Sequence, residues 1–138
     1  MNRADIEKIL PHRAPMLLLD EAELLSGEAL GKYTVRGDEF FLQGHFPGNP
    51  VVPGVILCEI MAQACCVLLQ GDVTEKTTPY FTGLSKVKFR EKVLPGDTII
   101  VKCSIDKQKP PFYFAHGTAC VNDKVAAEAE FSFAILEG

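Results

Sequence analysis

The sequence predicts an α+β domain in which an antiparallel sheet of about six strands wraps one long buried helix. Three observations carry this. The stretch from Gly54 to Leu69, GVILCEIMAQACCVLL, contains no helix breaker and places apolar residues at every helical azimuth, so it has no wet face and belongs inside. From Tyr80 onward the chain reads as strand after strand, divided by Pro95-Gly96-Asp97, Lys109-Pro110-Pro111 and Asn122-Asp123-Lys124. One long helix and several strands joined by short connections pack stably as a sheet closed over a helix. With 138 residues, 47% of them hydrophobic, residues 1–138 form a single domain that can bury a sizeable core.

Asp5–Leu10 reads as a short helix, stopped by Pro11, with Ile6, Ile9 and Leu10 on one side. His12 and Arg13 follow in a surface turn. Met16–Leu25 is a β run interrupted by acids, and Ser26-Gly27 turns it into a partner strand, Ala29–Arg36. Gly44, Pro47, Gly48 and Pro50 deny regular structure to the loop GHFPGNP, which carries His45. The helix begins near Pro53, whose missing N–H and fixed φ suit a first helical position, and extends ~25 Å at ~1.5 Å per residue. Gly71–Pro79 is polar and loop-like. The remaining strands are Phe81–Leu94, Thr98–Lys107, Phe112–Val121 and Val125–Leu136.

The helix carries one charge, Glu59, with Gln63 one turn later. A lone carboxylate among apolar side chains loses hydration when ionised, so it stays protonated, and Glu59 becomes a candidate acid. The plainer alternative is a carboxyl at a packing gap, satisfied by Gln63. His45, held in a rigid loop that feeds this helix, favours the catalytic reading. Net charge is −4, which disfavours general nucleic-acid affinity. The five cysteines lack metal-ligand spacing and read as reduced packing residues. With no Gly-rich phosphate loop, Cys/His cluster or nucleophile elbow, no metal and no redox cofactor is expected. The N-terminus has no signal-type apolar core and the helix is too short and too polar to span a bilayer, so a cytoplasmic protein is expected.

The segment GHFPGNPVVPGVILCEIMAQ resembles the signature of the 3-hydroxyacyl-acyl carrier protein dehydratases of bacterial type II fatty-acid synthesis. The flanks ILPHRAPMLLLDEAELL, FFLQGHF, LSKVKFREKVLPGDTI and AAEAEFSFAIL agree, so the resemblance spans nearly the whole chain. It implies the hot-dog fold and a catalytic pair at His45 and Glu59. The related dehydratase/isomerases usually carry aspartate where Glu59 stands. The resemblance further implies a substrate borne on the phosphopantetheine of an acidic acyl carrier protein and lodged in an apolar tunnel between subunits.

Dehydration needs a base at C2, an acid at the C3 hydroxyl and a donor to the thioester oxygen. Neutral His45, protonated Glu59 and the free N–H of Gly54 at the helix N-terminus fit these roles. Gln63, Tyr80 and Phe81 are further candidates for substrate contact, the two aromatics as tunnel lining or gate, with core packing as the alternative. In KVKFREK, Lys86, Lys88, Arg90 and Lys92 alternate with other residues. A strand would aim all four to one side as a carrier-docking face, or simply as a solvated one. Gly54 and Glu59 point roughly 140° apart around the helix at ~100° per residue. A homodimer with two shared active sites is therefore expected, with assembly to a hexamer as a further step. The alternatives are a hot-dog thioesterase, a dehydratase of a specialised polyene or polyketide pathway, and a non-catalytic acyl-binding subunit.

Overall fold

A computed structural model describes residues 1–138. The elements in order are α1 (Arg3–Glu7), β1 (Glu21–Leu25), β2 (Glu28–Thr34), a 3₁₀ turn (Phe40–Leu42), α2 (Gly54–Val67), β3 (Thr77–Phe89), β4 (Thr98–Lys109), β5 (Phe112–Val121) and β6 (Lys124–Glu137). The six strands form one antiparallel sheet in the order β1-β2-β4-β5-β6-β3, and α2 packs mainly on β4 and β2. This is the expected α+β hot-dog arrangement. No helix is long and apolar enough to cross a membrane.

Burial along α2 follows from its apolar content. Every residue from Leu57 to Val67 is buried except Glu59, which is half-buried. The first turn departs from the expectation of a helix buried all round, since Val55 is 65% exposed. Close approach of helix and sheet depends on Gly31 in β2. A Cβ there would lie 2.8 Å from Leu19 Cδ2, 2.8 Å from Val101 Cγ2 and 3.0 Å from Ala64 Cβ of α2. All three neighbours belong to the buried core. Gly31→Ala is therefore expected to destabilise the fold by about 1–3 kcal/mol, the usual cost of overpacking. Urea denaturation measures it, and an unchanged midpoint means that strand and helix separate freely.

Three elements have a boundary more than two residues from where the sequence suggests it. The expected β run from Met16 becomes a strand only at Glu21, because the apolar Leu17–Leu19 segment is held by side chains instead of a ladder. Arg3 donates to the carbonyls of Leu17 and Leu19, and Gln63 bonds both Met16 and Leu18. The first helix starts at Arg3, earlier than read, because Asn2 and Asp5 form a reciprocal capping box, and it ends at Glu7, beyond which the Ile9 and Leu10 N–H groups both turn back to Ile6 O. Strand β3 begins at Thr77, inside the stretch expected to be loop, and ends at Phe89. It tolerates Pro79 because it is an edge strand, bonded only to β6, where a missing N–H is harmless.

Candidate active site

The His45 loop is fixed from both ends. Upstream, the Glu39 carboxylate accepts from Tyr33 Oη at 2.6 Å and from the N–H groups of Arg36 and Gly37 at 2.9 and 2.7 Å. Burial pushes the Glu39 pKa up, but these hydrogen bonds outweigh it and hold the group below its ordinary value. Downstream, Val52 N–H donates to Val93 O at 2.8 Å. Between these anchors the Phe46 and Asn49 backbones bond each other at 3.0 and 2.9 Å, and Gly48 takes φ +72°.

Val51 sets the imidazole. Its N–H donates to His45 O and its carbonyl, 2.9 Å from His45 Nδ1, can only accept. Nδ1 therefore carries a hydrogen, so in the neutral ring the lone pair lies on Nε2, the tautomer a general base at that nitrogen requires. The Phe46 ring stacks on the imidazole with centroids 4.2 Å apart. His45 and Gly54 line one open recess of about 530 Å³ together with Val55, Phe89, Arg90 and Lys92. The first backbone bond of α2 is Ile56 N–H to Pro53 O, so the Gly54 N–H precedes it without an acceptor and faces the positive end of the dipole. A Cβ at Gly54 would meet the Phe89 ring at 2.7–2.9 Å, so this position admits no larger residue while the ring covers it.

Glu59 lies elsewhere in the chain. It lines a second, small cavity of about 30 Å³ with His12, Gln63, Cys66, Tyr80 and Phe81. That volume holds a water molecule but no acyl chain. Burial raises the Glu59 pKa and disfavours the charged form, opposed by a hydrogen bond from Gln63. The orientation of Gln63 is set because its Oε1 accepts Leu18 N–H at 2.9 Å. Its Nε2 must then donate, to Met16 O and to Glu59 Oε2, both at 2.8 Å. Oε2 is thus an acceptor, and when the carboxyl is protonated the hydrogen belongs on Oε1, which makes no hydrogen bond within the chain.

The sequence placed Gln63 among substrate contacts. Here it is buried with both amide hydrogens committed, so it positions Glu59 and has no donor left for a ligand. His12 was assigned to a surface turn. It sits instead in the Glu59 cavity, with Nε2 3.6 Å from Glu59 Oε2, while Arg13 staples the turn to the carbonyls of Glu7 and Leu10. The only sequence signal was its position between Pro11 and the apolar Met16–Leu19 run that Gln63 holds.

Tyr80 and Phe81 line the Glu59 cavity yet remain 47% and 41% exposed. The four cations do not share one strand face. A register shift interrupts β3 between Ser85 and Lys88, Lys86 has φ +49°, and Arg90 and Lys92 lie past the strand end. Lys86 and Arg90 also pair with Glu130 and Glu128, at 3.6 and 3.1 Å. Arg90 and Lys92 are instead at the rim of the His45 recess. All five cysteines are free thiols, and burial pushes the Cys58 and Cys66 pKa values up, as packing residues require.

The sequence matches the FabA-like domain family over residues 10–130. It is 47% identical to a 3-hydroxyacyl-[acyl-carrier-protein] dehydratase, FabZ, of Oenococcus oeni, covering 98% of this chain and 99% of that protein. With the FabZ dehydratase of Enterococcus faecalis it shares 48% identity over 95% of each chain. Among solved structures, a chain of the dehydratase heterocomplex ApeI:P from Xenorhabdus doucetiae superposes with a TM-score of 0.83 at 21% identity, covering 96% of this chain and 91% of that one.

Proposed function

Since the chain belongs to the FabA-like family, and within it is a 3-hydroxyacyl-[acyl-carrier-protein] dehydratase of fatty-acid biosynthesis, we propose that His45, Glu59 and Gly54 carry the reaction in a site shared between two subunits. His45 Nε2 removes a C2 proton. The C2–H electron pair becomes the C2=C3 double bond as the C3–O bond breaks. Glu59 Oε1–H protonates the departing hydroxyl, which leaves as water. The Gly54 N–H holds the negative charge that gathers on the thioester oxygen. Exchange with solvent returns the proton from His45 and restores Glu59.

The observation that carries the shared site is the separation of its parts. The base and the oxyanion donor open into one recess and the acid into another, each incomplete alone. The long edge strand β3 links them, with Tyr80 and Phe81 at its start beside Glu59 and Phe89 at its end over Gly54. Its outer edge is unpaired and Tyr80, Phe81, Leu84 and Phe89 are exposed along it, beside exposed Val55. Pairing β3 with a second copy, antiparallel about a two-fold axis, extends the sheet, covers these side chains and brings the acid half-site of one subunit to the base half-site of the other.

The acyl carrier protein docks, in this reading, on the cations at the rim of the His45 recess. Mixing the protein with carrier-bound 3-hydroxyacyl substrate is expected to raise the ultraviolet absorbance of the conjugated enoyl thioester without releasing free thiol. Reversing Arg90 and Lys92 to Glu is expected to slow this by about 10-fold on the carrier substrate and to flatten its salt dependence, with little change on a small thioester mimic. Equal losses on both substrates assign these residues to folding.

A further inference from the structure

Glu59 Oε2 faces two side chains, and Gln63 accounts for only one of them. The other is His12, whose Nε2 stands 3.6 Å away, while its Nδ1 is buried with no hydrogen-bond partner. A buried orphan nitrogen costs stability, and an apolar residue in the same place would avoid that cost. The tautomer follows from the same atom. An orphaned N–H donor is the rarer and costlier case, so Nδ1 keeps its lone pair and the hydrogen lies on Nε2, facing Glu59. Burial, and after it the charge of Arg13, clamped to the carbonyls of Glu7, Leu10 and His12, disfavours an imidazolium here.

We infer that His12 is a second positioning residue for Glu59: its Nε2–H joins the Gln63 amide on Oε2, turns the acidic Oε1 toward the substrate, and hydrogen-bonds the carboxylate left after the proton is delivered. The inference rests on Glu59 being the acid. The separation of 3.6 Å is long for a hydrogen bond to the resting acid, and it shortens when Oε2 becomes charged. His12 therefore stabilises the state that forms during the reaction more than the state before it. The titratable groups facing the imidazole are Glu59 and Cys66 from α2, Tyr80 from β3 and Arg13 from its own loop.

The test compares His12→Phe, which keeps the bulk and removes the donor, with His12→Gln, whose amide N–H reaches the place of Nε2 and does not titrate. His12→Phe is expected to lower kcat by about 10- to 100-fold, the scale of one hydrogen bond to a charged group, with KM little changed. It also moves the alkaline limb of the kcat–pH profile upward, because the Glu59 carboxylate has lost a donor. His12→Gln restores kcat to within about threefold and returns the limb to its place. In a Glu59→Gln background His12→Phe has no further effect. A fall in kcat with an unmoved limb, or no fall at all, overturns the inference. Should His12→Phe not fold, His12→Gln decides: a loss beyond about 10-fold or a displaced limb overturns it. An active Glu59→Gln parent instead overturns the role of Glu59 itself, so the two failures are distinct.

Discussion

Glu59→Gln is expected to lose dehydration by about 10²–10⁴-fold while the fold survives, and His45→Ala to lose as much, because that is what a positioned general acid or base typically contributes. The glutamine is nearly isosteric and its side-chain oxygen still accepts from Gln63 Nε2, so the contacts to Met16 and Leu18 are kept. Only the proton is missing. Stability supplies a second readout, and its sign is fixed. Burial raises the folded pKa of Glu59 above its unfolded value of about 4.3, so the folded state binds that proton more tightly. Its contribution is fully present below the unfolded pKa and is lost as pH rises through the folded one. The Glu59→Gln protein is therefore expected to gain stability relative to the parent at neutral pH, and the gain disappears below about pH 4. Substantial turnover in either variant removes that residue from its assigned role.

Mixing the two inactive variants under reversible dissociation is expected to restore activity. If subunits redistribute at random, about half of the dimers carry one chain of each kind. In such a dimer one site combines an intact His45 with an intact Glu59, and the other has lost both. Activity should therefore rise from the dead parents to about a quarter of the unmodified protein. Mixed dimers that stay at the level of the parents mean that each site is built from one chain. Native mass spectrometry or a tag on one variant verifies that the mixed species formed.

The helix, and the residues proposed here for the two half-sites, stand out in the sequence because they rest on local patterns. An apolar stretch without breakers, a single carboxyl within it and a Gly/Pro-rich loop before it are all visible in the order of residues. His12 was hidden because its role depends on where Met16–Leu19 runs, and that path is set by Gln63, more than forty positions away. The same apolar run mimics a strand, yet the carbonyls of Leu17 and Leu19 go to the Arg3 guanidinium instead of to a neighbouring strand. Pro79 argued against a strand, and only the edge position of β3 makes it acceptable. The alternation of Lys86, Lys88, Arg90 and Lys92 predicted a cationic face that the register shift in β3 breaks. Period-two reasoning has no means of seeing a bulge.

The commitment of Gln63 constrains what an inhibitor of this enzyme must look like. Its amide occupies Oε2, so the hydrogen of the protonated carboxyl lies on the open oxygen, Oε1. A compound reaching into the acid half-site should therefore present a neutral oxygen or nitrogen lone pair. An amine or amidine, the usual choice against a carboxylate, would need Glu59 ionised in a place where burial disfavours that charge, and would lose affinity accordingly.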